Sequence, residues 1–394
     1  METRIFKGNG KPVSLLGFGC MRLPRISPEK QDVDYETAQK MVDLAYAQGV
    51  NYFDTAYMYH DGLSEGFIGH ALKKYPRESY YLADKMPGCM GIVHTLADAK
   101  RIFAEQLDRC GVDYFDFYLL HSINCIADYE KTYLETGALD YLLSEKEAGR
   151  IRYLGFSFHG DTEAFEYMMN ARQWDFAQIQ LNYLDWDARS ARKLYESAEA
   201  HGVQLIIMEP VKGGTLVSLC DESVKILKDA DPDHSTASWA IRFAASLPNV
   251  LTVLSGMSNV EQVEDNLATI GDFRPLNETE GLVLKEAVAA YLAKGPVPCT
   301  GCRYCMDCPS GVDIPKVFSV YNACAVEGNL PISTGKDDSD LKTKAEAFLK
   351  AYREIPESAQ AHNCVSCLAC EQHCPQGIEI HQRLFDISQM AMSL

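Results

Sequence analysis

Residues 51–74 read NYFDTAYMYHDGLSEGFIGHALKK, an apolar run that ends in Asp54 followed by an amphipathic stretch from residue 64 to 74. A short apolar run followed by a helical pattern of apolar residues occurs eight times along the chain. The run and helix pairs are 15–20 with 35–48, 51–55 with 64–74, 80–85 with 95–110, 116–121 with 133–148, 151–157 with 161–172, 176–181 with 187–201, 203–208 with 234–247, and 250–256 with 259–270. Eight such units in about 270 residues predict an α/β fold, a closed (β/α)8 TIM barrel with a parallel sheet covered by helices.

Two further features refine this fold class. Residues 3–17, TRIFKGNGKPVSLLG, place a Gly-Asn-Gly turn between two apolar arms, which predicts an N-terminal β-hairpin. The rival architecture is a doubly wound dinucleotide-binding fold, which carries G-x-G-x-x-G after its first strand. Here the corresponding stretch, GFGCMR, has Arg22 where the motif requires its last glycine, so the barrel is favoured.

Composition and charge exclude several classes of function. The chain has 394 residues, with 37 Lys and Arg against 55 Asp and Glu, and no cluster of positive charge that would bind nucleic acid. The first residues, METRIFKGNGK, lack the apolar segment of a signal peptide, and no apolar stretch reaches the roughly 18 residues that span a bilayer. We therefore expect a cytoplasmic protein with neither a nucleic-acid nor a membrane partner.

Four polar residues stand where chemistry is expected in a barrel, at the carboxyl ends of strands or in the loops that follow. Asp54 ends the second apolar run, Tyr59 lies five residues later, Lys85 ends the third run, and His121 ends the fourth. A purely structural interpretation makes Asp54 and Lys85 a buried ion pair and His121 a core histidine. Their occurrence on consecutive strands favours a catalytic site.

These residues lie in a sequence that resembles the signature of the aldo-keto reductases. The resemblance rests on Asp54, Tyr59, Gly62, Ser64, Glu65 and Gly69, continues through LADK, FDFYLLH, EAGRIRYLGFS and VEQVEDNL, and covers residues 1–270. It implies a barrel that transfers hydride between a nicotinamide cofactor and a carbonyl carbon, on a small-molecule carbonyl or alcohol substrate.

The resemblance also implies roles that physical chemistry supports. Tyr59 would deliver a proton as charge develops on the substrate oxygen, and the ammonium of Lys85 would lower the Tyr59 pKa. Asp54 would hold Lys85 charged and oriented. His121 would donate a hydrogen bond to the carbonyl oxygen.

The cofactor site matches the family less closely. Ser157 and Gln178 fall where side chains bind the nicotinamide carboxamide, but Phe158 replaces an Asn, and Met208 stands where an aromatic residue commonly stacks on the ring. The remaining expected cofactor-binding residues are Lys212, Gly213 and Gly214 for a phosphate, Asp265 and Asn266 for the adenine, and Gly256 and Gln262. Gln262 occupies a position where many NADP-using members carry a basic residue, so the choice between NAD and NADP stays open, and a flavin is an alternative.

Two cysteine runs follow the barrel: Cys299, Cys302, Cys305 and Cys308, then Cys364, Cys367, Cys370 and Cys374, each ending in Cys-Pro. In a reducing compartment such runs bind metal more often than they form disulfides. Both resemble the halves of a bacterial-type ferredoxin with two [4Fe-4S] clusters, in which the fourth cysteine of each run binds the other cluster. The resemblance implies one cluster on Cys299, Cys302, Cys305 and Cys374, and another on Cys364, Cys367, Cys370 and Cys308. Paired zinc sites are the alternative, since C-x-x-C also suits tetrahedral zinc.

The sequence therefore predicts a barrel at 1–275, a helical connector at 276–295 and a mostly helical, ferredoxin-like iron-sulfur domain at 296–394. The segment between the cysteine runs has few large apolar residues between its helices, so we expect bound metal to supply much of its folding free energy. The other six cysteines show no metal-ligand spacing and are interpreted as small side chains that are buried or partly exposed: Cys20, Cys89, Cys110, Cys125, Cys220 and Cys324.

Three functions fit this organisation. In the first, the barrel is an oxidoreductase that interconverts a carbonyl and an alcohol, and the clusters exchange electrons with a ferredoxin or another carrier. In the second, the barrel works with NAD(P)H alone and the clusters are structural or sense oxygen. In the third, the protein is a non-catalytic, redox-sensing binding module. Intact catalytic residues favour an enzyme, and the sequence leaves the first two functions open.

Overall fold

A computed structural model describes residues 1–27, 32–88, 91–306, 308–332 and 339–394. The chain divides into two compact units. Unit 1 comprises Met1–Pro210 and Ala237–Leu276, and unit 2 comprises Val211–Thr236 and Asn277–Leu394. The boundary at residue 276 lies next to the one predicted from sequence. Residues 211–236, however, were predicted to be part of the barrel domain and instead group with the C-terminal part.

Unit 1 is a closed barrel of eight parallel strands, which confirms the predicted fold class. The strands of the chain are β1 Thr3–Ile5, β2 Pro12–Ser14, β3 Leu16–Gly19, β4 Tyr52–Asp54, β5 Tyr81–Met86, β6 Phe115–Ile123, β7 Ile151–Phe158, β8 Phe176–Gln180, β9 Leu205–Met208 and β10 Val250–Gly256. Strands β3 to β10 follow chain order around the barrel, and β10 pairs with β3 to close it. Every residue of β6 is buried, because helices cover the outside of the sheet and side chains fill the inside.

The predicted N-terminal hairpin is formed by β1 and β2, with Thr3 opposite Ser14. Phe6 follows β1 and is completely buried. Its ring lies 5.0 Å from that of Phe117 and 4.8 Å from that of Tyr153, centroid to centroid. The hairpin thus places the aromatic side chain of Phe6 in the core of the barrel, where it packs with residues near the starts of several strands.

Sixteen α-helices occur in the described residues: α1 Tyr35–Ala47, α2 Leu63–Leu72, α3 Leu96–Cys110, α4 Ile126–Tyr129, α5 Ala138–Glu147, α6 Thr162–Ala171, α7 Asp185–Ala188, α8 Ala191–Ala200, α9 Asp221–Ala230, α10 Thr236–Ala245, α11 Val260–Gly271, α12 Glu278–Leu292, α13 Ile314–Val326, α14 Leu341–Tyr352, α15 Ala369–Gln372 and α16 Ile380–Met392. None of these helices is both long enough and apolar enough to cross a membrane. Helix α3 illustrates how local sequence determines where a helix begins and ends. Thr95 and Asp98 form a reciprocal capping box at its start, and Gly111 ends it with a φ of 62°.

Three helical segments differ from the sequence prediction. The stretch predicted at 133–148 is interrupted at Gly137, where φ is 75° and α5 begins. The stretch predicted at 187–201 is divided into α7 and α8 by Ser190, whose φ is 59°. Helix α9 was not predicted; it follows β9 in the chain and packs against α12 within unit 2.

Unit 2 has an apolar core of its own. Phe318 of α13 and Phe348 of α14 are completely buried, and Tyr352 is nearly so. The aromatic rings of Phe348 and Tyr352 stack with centroids 5.7 Å apart. The apolar residues of α13, α14 and α16, although widely spaced in sequence, converge on one cluster. The contribution of bound metal to the folding free energy stays a prediction.

Candidate functional site

The four residues predicted for catalysis lie together at the carboxyl ends of neighbouring barrel strands. Asp54 ends β4, Lys85 is the penultimate residue of β5, and His121 is the third residue from the end of β6. Tyr59 begins a short 3-10 turn in the loop after β4. The Lys85 Nζ lies 4.8 Å from the centroid of the Tyr59 ring, and the rings of Tyr59 and His121 are 6.0 Å apart.

Lys85 is completely buried, and polar groups next to it compensate the charge of its ammonium. Its Nζ lies 2.6 Å from Asp54 Oδ1 and donates a second hydrogen bond of 2.6 Å to the carbonyl oxygen of Thr55. Burial raises the Asp54 pKa, and the charge of Lys85 opposes that rise. A buried ammonium without such partners would be strongly destabilising, so this pair fixes the position of Lys85 Nζ beside the phenol.

The pKa of Tyr59 is raised well above its ordinary value of 10.0, first by burial and then by the negative charge of Asp54 and its neighbours. This net rise is opposite to the lowering expected from the ammonium of Lys85, because burial and the surrounding negative charges penalise the phenolate. The contribution of Lys85 itself to the Tyr59 pKa stays a prediction. Tyr59 is consequently a protonated phenol at neutral pH, the form that a proton donor requires.

His121 is neutral at physiological pH, because burial, the charge of Lys85 and the nearby His159 lower its pKa well below 6.5. Its Nδ1 is buried with no hydrogen-bond partner among the described residues. His159 follows β7, and its pKa is lowered to about 4 by burial and then by the charge of Arg189. Sequence analysis did not single out His159, although its place directly after a barrel strand is the signal that could have found it.

The residues expected to bind the nicotinamide carboxamide lie on three consecutive strands. Ser157 of β7 is paired with Gln178 of β8 in the sheet register, and Gln180 of β8 is paired with Met208 of β9. The Ser157 Oγ accepts a hydrogen bond from the backbone N–H of Ser122. Gln178 donates to the Met208 sulfur at 3.5 Å, and its Oε1 is buried without a partner in the described part of the chain. That unsatisfied oxygen is a free acceptor at the place where an amide N–H₂ is expected.

The residues expected near the adenine lie at the junction of β10 and α11. Asn266 is buried and donates to the Ser255 Oγ at 2.8 Å. Gln262 accepts a hydrogen bond of 2.7 Å from the backbone N–H of Ser258. Asp265 lies on the first turns of α11, and Gly256 ends β10. A methyl group at Gly256 would lie 3.3 Å from the Arg22 side chain, so this residue keeps the backbone close to Arg22.

Sequence reasoning also missed two charged residues in unit 1. Arg22 follows β3 and Glu209 follows β9, and their side chains lie 3.7 Å apart, guanidinium to carboxylate. Glu209 is one of the negative charges that raise the pKa of Tyr59, and its φ of 55° is unusual for a residue with a side chain. Glu209 directly follows a barrel strand and Arg22 lies three residues after one, and these positions could have identified them.

Unit 2 contains a cysteine-lined cavity that joins the two cysteine runs. Four thiols line the cavity together with apolar residues such as Ile314 and Phe318. We call these four cysteines the first cysteine group: Cys299, Cys302, Cys305 and Cys374. Burial raises the pKa of Cys305 to about 12, and the charges of the other three thiols add to this shift. Cys299, Cys302 and Cys374 therefore lie close enough to Cys305 for their charges to act on it.

The remaining cysteines of the runs form the second cysteine group, Cys308, Cys364, Cys367 and Cys370. The pKa of Cys370 is raised to about 11 by burial, then by Glu371, with contributions from Cys364 and Cys308. Cys308 and Cys364 are thus close enough to act on Cys370, and Cys367 is exposed. Among the described residues, no three His, Cys, Asp or Glu side chains are arranged to share one metal ion.

The other cysteines behave as predicted where they are described. Cys20, Cys110, Cys220 and Cys324 are buried and Cys125 is exposed, whereas Cys89 lies outside the described residues.

The segment expected to bind a cofactor phosphate, Lys212 to Gly214, belongs to unit 2. Lys212 is completely buried, and its Nζ donates a hydrogen bond of 3.3 Å to Gln376 Oε1. Gly213 lies so close to Thr300 that a methyl group on it would be 2.4 Å from the Thr300 carbonyl oxygen. Binding of a phosphate by this segment stays a prediction.

Comparisons with known proteins agree with the predicted division into a barrel and an iron-sulfur domain. A model of the aldo/keto reductase family matches residues 15–286, and a model of a 4Fe-4S dicluster domain matches residues 298–379. The second match selects iron-sulfur clusters over the zinc alternative.

Individual relatives match the barrel. L-galactose dehydrogenase of Arabidopsis thaliana is 25% identical over 319 residues, which are 73% of this chain and 94% of that protein. The NADH-specific methylglyoxal reductase of Escherichia coli is 22% identical over 320 residues, 71% of this chain and 95% of that protein. Among solved structures, the holo form of the aldo-keto reductase AKR11C1 from Bacillus halodurans superposes with a TM-score of 0.60 at 26% identity, covering 73% of this chain and 96% of that one.

Proposed function

Because the chain belongs to the aldo/keto reductase family and carries a C-terminal 4Fe-4S dicluster domain, we propose that it couples carbonyl–alcohol interconversion by hydride transfer to electron transfer through two [4Fe-4S] clusters. It is an oxidoreductase that acts on C=O or CH–OH groups. The observation that carries the catalytic half of the proposal is the arrangement of Lys85 Nζ, 2.6 Å from Asp54 Oδ1 and 4.8 Å from the Tyr59 ring. The cysteine-lined cavity carries the other half.

In the proposed mechanism, protein groups manage the proton and the charge on the substrate oxygen. Tyr59, held as a neutral phenol, donates its proton to that oxygen during carbonyl reduction. The ammonium of Lys85 stabilises the phenolate that results, and Asp54 holds the ammonium in place. In the oxidative direction the phenolate takes the proton back. A bound nicotinamide would supply or accept a hydride, which carries two electrons, whereas a [4Fe-4S] cluster would move one electron at a time. Coupling the two would therefore require a carrier that takes up two electrons and passes them on singly, such as a flavin held in the cofactor site.

His121 orients the substrate. Its imidazole is neutral and therefore carries one N–H, which can donate a hydrogen bond to a carbonyl oxygen without competing for the proton of Tyr59. Its edge-on approach to the Tyr59 ring, with ring planes at 80°, leaves the two polar tips free to meet one oxygen atom.

We propose that the nicotinamide carboxamide binds Ser157 and Gln178. The unsatisfied Gln178 Oε1 supports this assignment, since a buried acceptor without a partner is costly unless a ligand satisfies it. Met208 packs on the ring, and the β10–α11 junction with Gly256, Gln262, Asp265 and Asn266 receives the adenine end. Gln262 supplies no positive charge for a 2′-phosphate, so NADH and NADPH both need testing.

We propose that the first cysteine group holds one [4Fe-4S] cluster and the second cysteine group holds the other. The cavity supports the first assignment because it brings Cys374 of the second run among three cysteines of the first run. The charge effects of Cys308 and Cys364 on Cys370 support the second. A ferredoxin or similar one-electron carrier is the proposed partner, and a cytoplasmic location stays a prediction.

The decisive experiment starts with protein isolated without oxygen. Iron and sulfide are quantified, the absorption spectrum is recorded, and the protein is titrated with NADH and NADPH and assayed against a panel of aldehydes and ketones. We expect about eight iron atoms per chain and turnover of at least one carbonyl substrate. Zinc without iron would overturn the electron-transfer half, and binding of neither nucleotide with no turnover would overturn the catalytic half. Flavin absorption would identify the alternative cofactor.

The Cys302→Ser variant separates coupled catalysis from an enzyme with purely structural clusters. Under our proposal the folded variant loses electron exchange with a reduced ferredoxin or dye. If the folded variant keeps the wild-type rate of NAD(P)H-dependent turnover, or if the wild-type protein shows no electron exchange while that turnover is normal, the clusters are structural or sensory.

A further inference from the structure

His121 lies where the regular pairing of β6 with its neighbouring strands stops. On one side, the pairing of β5 with β6 ends at Met86 and Leu120. On the other side, the pairing of β6 with β7 shifts in register between Leu120 and Ile123. Ser122 has a left-handed backbone with a φ of 54°, which a residue with a side chain keeps only where its surroundings hold it. The sheet alone therefore does not fix the backbone at His121.

The hydroxyl of Tyr133 connects the ends of β5 and β6 at this point. It accepts hydrogen bonds from the backbone N–H of His121 at 2.9 Å and from that of Gly88 at 3.2 Å. It donates a hydrogen bond of 2.9 Å to the carbonyl oxygen of Met86, the residue after Lys85, and lies 3.4 Å from the carbonyl oxygen of His121. A hydroxyl has one proton to donate and two lone pairs to accept with, so all three have backbone partners here.

The surroundings of Tyr133 fix where its hydroxyl lies. Tyr133 belongs to a single π-helical turn, Glu130–Leu134, which follows α4. Turns of this kind are rare and occur frequently at functional sites. The Tyr133 side chain is buried, and a methyl group at Gly88 would lie 2.3 Å from its hydroxyl oxygen. Glycine at position 88 therefore lets the backbone approach the hydroxyl closely.

Among the catalytic side chains, His121 depends most on this connection. The Lys85 Nζ is held by its own hydrogen bonds, both of 2.6 Å, to Asp54 Oδ1 and to the Thr55 carbonyl oxygen. The buried Nδ1 of His121, in contrast, has no hydrogen-bond partner among the residues that the structure describes. The position of the imidazole therefore follows from its backbone and its packing, and a shift of that backbone moves the N–H that meets the substrate oxygen.

We propose that Tyr133 is a positioning residue for carbonyl reduction: its hydroxyl fixes the backbone of His121 against the end of β5 and so aims the imidazole at the substrate oxygen. This inference rests on the proposed function, because it requires a carbonyl substrate at this rim of the barrel. Tyr133 neither gives up its proton nor forms a bond to the substrate, and it acts only through His121.

The test compares the wild-type protein with Tyr133→Phe by steady-state kinetics on one carbonyl substrate and by nucleotide titration of the intact, iron-loaded protein. We expect kcat to fall by at least about tenfold, since a misplacement of about 1 Å in a catalytic site can cost roughly 100-fold. The dissociation constant of the nucleotide should stay unchanged. Rates are expressed per folded protein from urea unfolding, because the variant leaves buried N–H groups of Gly88 and His121 without their partner and loses stability.

Tyr129→Phe is the matched control. Tyr129 is a buried tyrosine of the neighbouring α4, and its ring contacts those of Tyr167 and Trp174, which the substitution preserves. This variant should keep the wild-type kcat. A residue with a purely structural role would lower the free energy of unfolding and leave kcat of the folded protein unchanged.

A double-mutant cycle with His121→Ala tests whether Tyr133 acts through His121. We expect Tyr133→Phe to lower kcat strongly in the wild-type background and only slightly in the His121→Ala background, because the residue through which it acts is then absent. Equal losses in both backgrounds would overturn the inference.

Gly88→Ala provides a second variant if Tyr133→Phe does not fold. It keeps the hydroxyl but displaces it, so we expect the same fall in kcat with an unchanged dissociation constant for the nucleotide. Unchanged kcat in either folded variant would contradict only the role of Tyr133. Absence of carbonyl turnover in the wild-type protein would instead contradict the proposed function.

Discussion

The catalytic residues show how far individual side chains can be interpreted from sequence. Asp54, Tyr59, Lys85 and His121 could be predicted because barrel strands bring their carboxyl ends to one rim, whatever lies between them in the chain. The pKa shifts of these residues could not be predicted from the sequence. The raised pKa of Tyr59 depends on how deeply the phenol is buried and on the negative charges around it, and neither is visible before the fold is known.

Tyr59→Phe removes the proposed proton donor and keeps the ring. We expect carbonyl reduction to fall by roughly 10²- to 10⁴-fold, the usual contribution of a positioned general acid. The iron content and the cluster spectrum should stay as in the wild type, since Tyr59 lies in unit 1 and the cysteine groups in unit 2. Steady-state kinetics with one carbonyl substrate checks the first expectation, and a variant that keeps full activity would remove Tyr59 from the mechanism.

His159 makes the stability of unit 1 depend on pH. Its pKa is about 4 in the folded protein and 6.5 when unfolded, so between these values the unfolded chain binds a proton that the folded chain does not. The folded state is therefore destabilised as pH falls through that window. Between pH 7 and pH 5 this single group should lower the free energy of unfolding by about 2 kcal/mol.

Urea unfolding followed by tryptophan fluorescence measures this effect, because Trp174, Trp186 and Trp239 all lie in unit 1. The His159→Asn variant should lose less stability than the wild type between the two pH values. Equal losses in both proteins would show that His159 is protonated in the folded state as easily as in the unfolded one.

At the scale of helices and strands, the sequence predicted all eight barrel strands, because burial on both faces leaves runs of apolar residues. The helix breaks were harder to predict. Gly137 is a recognisable helix terminator, but Ser190 adopts a left-handed conformation that no local pattern announces. Helix α9 was missed because the helix it packs against, α12, is far away in sequence.

The contact between α2 and α3 gives a prediction about stability. A methyl group at Gly69 of α2 would lie 2.4 Å from the carbonyl oxygen of Cys110, a backbone atom that cannot move without shifting α3. We expect Gly69→Ala to destabilise unit 1 by about 1 to 3 kcal/mol, the usual cost of overpacking.

Gly66→Ala on the same helix is the matched control. Apart from the Tyr35 hydroxyl at 4.0 Å, its added methyl group meets no side chain and no neighbouring backbone. Because alanine favours the helix by up to about 1 kcal/mol over glycine, this variant should be neutral or more stable. Urea unfolding of both variants distinguishes the two effects. Similar results for both would mean that α2 and α3 can separate freely.

For the whole molecule, the sequence predicted a barrel followed by an iron-sulfur domain, because each part has a local signature of its own. It did not predict that residues 211–236 belong to unit 2. That assignment depends on contacts such as the one between Gly213 and Thr300, which join distant parts of the chain and leave no periodic pattern. Two glycines in a loop indicate a close approach, but not the residue that is approached.

The exchange of cysteines between runs gives the last prediction. Cys374 lines the cavity with Cys299, Cys302 and Cys305, although it belongs to the other run. Cys374→Ala should therefore perturb the same cluster as Cys302→Ala, and each variant should lose about half of the iron. Cys308→Ala should perturb the other cluster.

Electron paramagnetic resonance of the reduced protein separates the two signals, and Cys125→Ala, an exposed cysteine of unit 1, is the control that should alter neither. If Cys374→Ala and Cys367→Ala removed the same signal, each run would bind its own cluster. The predicted exchange of cysteines between the runs would then be wrong, and the cavity would be a packing feature.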